Sequence, residues 1–372
     1  MTTWLVIVGG FLGAGKTTLL LTAAQRLTTQ GYRVGLLTND QGADLVDTAL
    51  GDQAAIPVTE VAGGCFCCRF PDLLAGLQRL QAVATPDLVL LEPVGSCTDL
   101  VATVLRPLLQ FHGDQYQLAP LTILLDSTRD LADFPPDVHY LYQQQLSEAE
   151  LLLLTKTDQL STAQCDAQLI ALRATYPQAR LLAASSHTGA GIVEWLSIVL
   201  GQSSRNPQAL VIDYGRYADA EAALGWLNVK GLVRADQAFS AQVWTDNLLT
   251  TLTYAFTAQA APIAHIKTMV TTPQGQFKAS VTQAQAPLTW DLATGDAITN
   301  RLDFILNVRV NAAPSLLEQV VVQTIEAIQP DAGARYYFDH FECFSPLPPK
   351  PTHRLGTQGT TTDSGGSRFP PA

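Results

Sequence analysis

Charge is what this sequence has least of. Asp, Glu, Lys and Arg make up only 15% of its 372 residues, while 47% are hydrophobic. That combination excludes wholesale disorder, which needs high charge and few apolar residues. Basic residues are scarcer than acidic ones, 22 Lys and Arg against 33 Asp and Glu, for a formal net charge of -11. A broad phosphate-neutralising surface for nucleic acid is therefore excluded, and the acidic balance favours cations instead. Long apolar runs are missing too: WLVIV, DLVLL, LTILL and ELLLL are strand-sized, far short of the roughly 20 residues that span a bilayer. No Lys or Arg precedes Lys16, and the first apolar run leads straight into a glycine loop, unlike a secretory leader. The expected location is cytoplasmic, with no membrane and no nucleic acid as partner. Six cysteines are too few for a disulfide scaffold at this length, and the six histidines are scattered, so no His-rich metal reservoir is present.

What is present is enough apolar residue for two cored domains. Up to about residue 200, short apolar runs alternate with helical-period stretches, the pattern of βα units. The runs predict strands at Trp4–Val8, Val34–Asn39, Val58–Val61, Leu88–Glu92, Leu121–Asp126, Leu151–Thr155 and Arg180–Ala184. Helices are predicted at Lys16–Thr28, Pro71–Val83, Asp99–Gln110, Val138–Glu148, Thr162–Thr175 and Ile192–Leu200. Strands that are apolar throughout belong between two layers of helices, so the fold class is α/β, a doubly wound and mainly parallel sheet over residues 1–203. The polar stretch Gly201–Pro207 reads as a linker. Over residues 208–344 the runs lengthen: Gly225–Val233, Ala241–Val243, Ala264–Thr271, Phe277–Thr282 and Leu302–Val310 as strands, then an amphipathic helix Ser315–Ile328. This is a smaller α+β domain with a mainly antiparallel sheet. Residues 345–372, rich in Pro, Gly, Ser and Thr, are expected to be a disordered tail.

The segment Gly10-Phe11-Leu12-Gly13-Ala14-Gly15-Lys16-Thr17-Thr18 fits GxxxxGK[ST] between a strand and a helix. Gly10, Gly13 and Gly15 let the backbone wrap a phosphate, Lys16 reaches the β and γ oxygens, and Thr17 offers a hydroxyl to Mg²⁺. Ala14 and Thr18 complete this nucleoside triphosphate loop. Glu92 closes the strand Leu88–Glu92, with Gly95 three residues on; the pair suits an acid near Mg²⁺ and an amide that senses the γ-phosphate, or Glu92 is an ordinary strand-end carboxylate. Asp40, Asp44 and Asp47 follow the second strand and either meet the metal and orient water, with Asp40 the catalytic candidate, or are solvated turn residues. Thr155-Lys156-Thr157-Asp158 follows a further strand where NKxD selects guanine: the Asp carboxylate accepts the N1 and N2 hydrogens and the Lys stem lies along the base. The alternative for Asp158 is a helix cap. Ser185 falls after the next strand, where a loop can back the base.

Gly63-Gly64-Cys65-Phe66-Cys67-Cys68 lies between a predicted strand and a predicted helix. Three thiols this close can converge on one soft or borderline ion and leave a fourth position open, with Arg69 favouring thiolates. Buried small side chains or a redox pair are the alternatives. Cys97, Cys165 and Cys343 stand alone and read as packing residues.

In this order, GGFLGAGKTT, GGCFCC, a strand ending ExxG and a KxD after a further strand resemble the CobW-type metallochaperone GTPases. These are relatives of the HypB and UreG GTPases that serve nickel insertion into hydrogenase and urease. The resemblance implies GTP hydrolysis with Mg²⁺ and binding of Zn²⁺, or Co²⁺ or Ni²⁺, at Cys65, Cys67 and Cys68; the residues themselves put Mg²⁺ at Thr17 and Glu92 and catalytic roles on Lys16, Glu92 and Asp40. The resemblance also implies delivery to a metal-dependent client protein. Slow intrinsic turnover is expected because no arginine finger is assignable from the sequence, and a homodimer is a further expected partner. Thr155 departs from the family's Asn, and the His-rich segment of some relatives is absent. The competing reading is a metal-sensing or metal-buffering nucleotide-binding module with negligible turnover.

Overall fold

The computed structural model describes residues 2–39, 56–61, 63–284, 286–293 and 295–356. Asp40, Asp44 and Asp47 lie outside the described residues. The first sheet contains β1 (Thr3–Gly10), β2 (Val34–Asn39), β3 (Val58–Val61), β4 (Leu88–Glu92), β5 (Tyr116–Leu118), β6 (Thr122–Asp126), β7 (Leu151–Thr155) and β8 (Arg180–Ala183). Its order is β3-β2-β4-β1-β6-β7-β8, with the short β5 paired to β1, and the pairings are parallel. β2, β3, β4 and β7 coincide with their predicted spans. β4 and β7 are buried along their whole length, as strands covered on both faces are, whereas β3 is a half-buried edge strand, Val-Thr-Glu-Val. α1 (Lys16–Thr29) and α6 (Ile192–Gly201) pack on one face, through Leu19, Leu20 and Trp195. α2 (Phe70–Ala84), α3 (Arg106–His112) and α4 (Pro136–Ser147) pack on the other. α5 (Thr162–Thr175) buries no residue and is held at its start by a Ser161–Gln164 capping box. The helix expected over Asp99–Gln110 starts as a wider π-type turn, Val101–Leu105, before α3. Strand order changes direction around β1, so a crevice opens at the carboxyl ends of its strands, where such sheets bind ligands.

The second sheet is antiparallel, in the order β12-β11-β10-β13-β9-β14. Its strands are β9 (Gly225–Ser240), β10 (Ile263–Thr272), β11 (Gly275–Val281), β12 (Thr289–Ala293), β13 (Ile298–Val310) and β14 (Arg335–Phe344). Before it, α7 (Tyr214–Ala223) packs Tyr217 and Ala220 into the core of the first sheet rather than of the second. α8 (Ala241–Ala258) and α9 (Pro314–Ala327) cover one face of the second sheet. Ala241–Val243, expected as a strand, is the first turn of α8. The burial of Ala241, Trp244, Thr245, Leu248, Leu249, Leu252 and Phe256 follows the 3.6-residue period, and the Ser240 hydroxyl caps it by accepting from the Val243 amide at 3.0 Å.

The expected disordered tail is also corrected over its first part. Residues 345–356 run as an ordered strap across the cysteine loop. The Thr352 amide donates to Cys67 O at 2.8 Å and the Leu355 amide to Ala102 O at 2.8 Å. The Arg354 guanidinium pairs with Asp99 at 2.7 Å. Proline fixes φ and lets a segment hold an extended course with few backbone partners, so low-complexity composition did not prevent docking. Residues 357–372 lie outside the described residues.

Candidate nucleotide and metal site

β1 ends at Gly10 and α1 starts at Lys16, so the intervening loop turns its amides toward the helix N-terminus, where anions are favoured. Gly10 has φ +132°, and a Cβ there would lie 2.6 Å from the Leu124 carbonyl oxygen; only glycine fits. The Lys16 ammonium donates to Gly10 O at 3.0 Å and Phe11 O at 3.3 Å, inside the arc that phosphate oxygens would enter. The Thr17 hydroxyl donates to Glu92 Oε1 at 3.0 Å. Glu92 ends β4, which is the direct neighbour of β1. A hydroxyl and a carboxylate side by side next to a phosphate loop are hard oxygen donors of the kind Mg²⁺ takes along with phosphate and water. Gly95 presses on the same loop: a Cβ on it would stand 3.1 Å from Leu12 Cα.

These residues face a cavity of about 880 Å³ whose first wall includes Gly13, Ala14, Gly15, Lys16, Thr17 and Thr18. Its second wall is the polar face of the second sheet, carrying His265, Lys267, Lys278, Thr282 and Trp290. Lys267 and Lys278 are only 7% and 4% exposed, and Lys278 pairs with Asp291 at 3.2 Å. Sequence reasoning missed this wall. The signal was the period-two alternation of β10 and β11, where Ile266, Val270, Phe277, Ala279 and Val281 face the helices and the intervening polar residues face the other way. Arg129 locks the two walls together: its guanidinium donates to Leu12 O at 2.7 Å and Ala264 O at 2.9 Å, and to Thr282 O. Burial lowers its pKa from the ordinary guanidinium value.

At the base end, the Thr155 hydroxyl donates to Ala14 O at 2.9 Å, tying this loop to the phosphate loop. Lys156, at φ +57°, sends its ammonium to Asp126 at 2.6 Å. Asp158 is exposed and lines the cavity. It is not the cap of α5, which is Ser161. Ser185 is buried and its hydroxyl accepts from the Thr188 amide at 3.1 Å; Ser186 and His187 form the cavity wall there.

The cysteine loop lies behind the carboxyl end of β2. Cys65, Cys67 and Cys68 present sulfurs that all lie within 4.8 Å of one another. Cys68 Sγ is 3.4 Å from Cys65 Sγ and 3.6 Å from Cys67 Sγ. Cys65 and Cys67 are joined as a disulfide. Metal binding requires thiolates, so the reduced chain is the form that takes an ion. Cys68 accepts the Lys350 amide at 3.1 Å, an N–H···S bond from the strap. Burial pushes the Cys68 thiol up from its ordinary pKa, against that bond.

Residues 4–181 match the CobW/HypB/UreG nucleotide-binding domain. This half of the chain is a CobW/HypB/UreG domain. The zinc chaperone YeiR of Escherichia coli (strain K12) is 29% identical over 160 residues, covering 41% of this chain and 46% of YeiR. The zinc chaperone YjiA of the same organism is 30% identical over 160 residues, covering 41% of this chain and 48% of YjiA. The match thus spans about half the length of these curated relatives. The solved Zn(II)-bound YjiA GTPase from E. coli aligns over 88% of this chain and 99% of its own, at 16% identity and TM-score 0.36. Among the described residues no helix is long and apolar enough to cross a membrane.

One side chain joins the two sites of this CobW-type domain. Asn39, the last residue of β2, lines the nucleotide cavity. Its amide donates to Val61 O at 2.8 Å and Gly64 O at 2.7 Å, and its carbonyl accepts from the Phe66 amide at 2.8 Å.

Proposed function

We propose that the chain hydrolyses GTP and uses that cycle to load a divalent metal, Zn²⁺ ahead of Co²⁺ and Ni²⁺, at Cys65, Cys67 and Cys68 for delivery to a client protein. The observation that carries this reading is Asn39, which lines the nucleotide cavity and holds both sides of the cysteine loop. The names of the relatives, zinc chaperones, point to the same cargo.

Apart from Asp40, which lies outside the described residues, each residue takes a role that its position supports. The loop amides and Lys16 hold the β- and γ-phosphates, and Gly95 meets the γ-phosphate side through its amide. Thr17 and Glu92 would hold Mg²⁺, which supplies charge neutralisation to the transferring phosphoryl group. Asp158 accepts the N1 and N2 hydrogens of guanine, and Asp40 is proposed to orient the water. Water attacks the γ-phosphorus, the bond to the bridging oxygen breaks, and GDP and phosphate leave. Loss of the γ-phosphate relaxes the carboxyl end of β2, and Asn39 passes that change to the loop.

The test is Zn²⁺ affinity of the reduced full chain with no nucleotide, with GDP and with a non-hydrolysable GTP analogue. Tighter Zn²⁺ binding with the analogue is expected, and by reciprocity Zn²⁺ must tighten the analogue by the same factor. Equal affinities in all three states overturn the coupling. A buffering module with negligible turnover is the second reading. The observation in its favour is Arg129, the arginine packed against the phosphate loop, whose guanidinium is committed to main-chain carbonyls rather than to the cavity. Multiple-turnover phosphate release separates the two, and excess ATP against labelled GTP tests the base.

A further inference from the structure

Cys97 belongs to the loop after Glu92, and its sulfur lies 3.9 Å from Cys67 Sγ. The fold thus brings a fourth thiol from 30 residues away to the loop that holds the other three. We infer that Cys97 is the fourth ligand of the metal, converting an open three-thiolate site into a closed four-thiolate one. The inference rests on the reading of Cys65, Cys67 and Cys68 as the metal loop and goes beyond it by naming what fills the remaining position.

The spacing fits. With Zn–S bonds of about 2.3 Å, the sulfurs of a tetrahedral site stand about 3.8 Å apart. The separations are 3.4 Å for Cys65–Cys68, 3.6 Å for Cys67–Cys68 and 3.9 Å for Cys67–Cys97. The three loop sulfurs lie within 4.8 Å of one another, and Cys97 meets the group through Cys67. Full ligation takes reduction of Cys65–Cys67 and an inward shift of Cys97. The surroundings favour sulfur over water at that vertex. Cys65, Cys67 and Cys97 are 4%, 2% and 1% exposed, so the side of the cluster toward Cys97 is dry. The side toward solvent is at Cys68, where the strap already supplies the Lys350 N–H, the kind of outer hydrogen bond that orients a metal ligand.

Cys97 is also placed to be moved. Gln145 Nε2 donates to both Gly95 O and Cys97 O at 2.9 Å, so the two residues shift together, and Gly95 presses on Leu12 of the phosphate loop. A nucleotide-driven displacement of Gly95 therefore pulls one ligand off the ion. A four-thiolate site holds its metal; a site reduced to three offers a vacant vertex to an incoming ligand of a client.

The experiment is X-ray absorption on the reduced, Zn²⁺-loaded full chain, paired with Co²⁺ titration of the wild type, Cys97→Ser and Cys97→Ala. Four sulfur neighbours at about 2.3 Å are expected, against three sulfurs and one N or O at about 2.0–2.1 Å if the inference is wrong. Thiolate-to-cobalt charge-transfer absorbance per bound ion should fall by about a quarter in both variants, as four thiolates become three. An unchanged cobalt spectrum in the variants overturns the role of Cys97 while leaving the three-thiol loop standing. If the wild type shows no sulfur ligation at all, the metal-loop reading falls and this inference with it. The absorption measurement needs no variant, so it decides the matter even if Cys97→Ala does not fold.

Discussion

The side-chain amide of Asn39 donates to the carbonyl oxygen of Gly64 at 2.7 Å, joining the end of β2 to the first residues of the cysteine loop. With the bonds to Val61 O and from the Phe66 amide, this one side chain satisfies three main-chain groups. Asn39→Ala leaves them without that partner in a largely buried place, which costs about 1–3 kcal/mol for a buried group left unpaired. The variant should melt lower than the wild type by differential scanning calorimetry. More tellingly, its Zn²⁺ affinity should no longer differ between GDP and a GTP analogue. A retained difference would mean that the two sites communicate by another route.

Thr155 gives a second, sharper test. Its hydroxyl bonds Ala14 O, so Thr155→Val keeps the shape and removes the link between base loop and phosphate loop. A neutral hydrogen bond of this kind contributes about 0.5–1.5 kcal/mol, so GTP affinity measured by calorimetry should weaken by roughly threefold to tenfold. Preference for GTP over ATP should persist in this variant and disappear in Asp158→Ala. Loss of preference in Thr155→Val would place base selection on Thr155 itself.

The first domain could be read from its sequence because parallel strands covered on both faces are largely apolar, and β2, β4 and β7 stand where such runs occur. The phosphate loop and the CxCC triplet were legible for a related reason: their chemistry needs residues close together in the chain. What was not legible depends on residues far apart. Cys97 is isolated in sequence and meets Cys67 only through the crossover from β4. Lys278 and His265 reach the nucleotide cavity because the second sheet turns its polar face inward. The start of α8, Ala241–Val243, reads as a strand because Val243 is a strand-favouring type, while the helical spacing of the buried positions from Ala241 to Phe256 decides the matter. The strap from Ser345 to Gly356 is low in complexity, and its order comes from contacts with Cys67, Cys68, Asp99 and Ala102.

The strap can be tested without truncation. Arg354 pairs with Asp99, whose side chain is 1% exposed while that of Arg354 is 27% exposed. Arg354→Ala removes this partner from the carboxylate and leaves it the Tyr214 hydroxyl at 2.7 Å. Breaking a fully buried pair costs about 3–5 kcal/mol; with the guanidinium partly in water, the loss should be smaller, about 2 kcal/mol. The freed strap should uncover Cys68. Alkylation of Cys68 in the reduced chain, followed by mass spectrometry, should speed up in Arg354→Ala. An unchanged rate would show that Thr352 and Lys350 hold the strap on their own.

Glu148 supplies the pH dependence. Its carboxylate accepts from the Thr98 hydroxyl at 2.7 Å, the Val101 amide at 2.9 Å and the Asp99 amide, so it holds the turn that follows Cys97. Burial, and next the neighbouring Asp99, push its pKa up from 4.5 to about 8. Below the ordinary carboxylate value both folded and unfolded chains carry the proton, and no penalty arises. Between about 4.5 and 8 the folded chain keeps a proton that the unfolded chain has lost, so stability falls as pH rises through that window. Glu148→Gln loses one acceptor's charge and should be offset in stability at every pH, but its profile should be flatter than that of the wild type. Urea denaturation at about pH 5, 6.5 and 8 measures the two slopes. Parallel profiles would mean that Glu148 ionises in the folded chain as an ordinary carboxylate does, with its hydrogen bonds outweighing its burial.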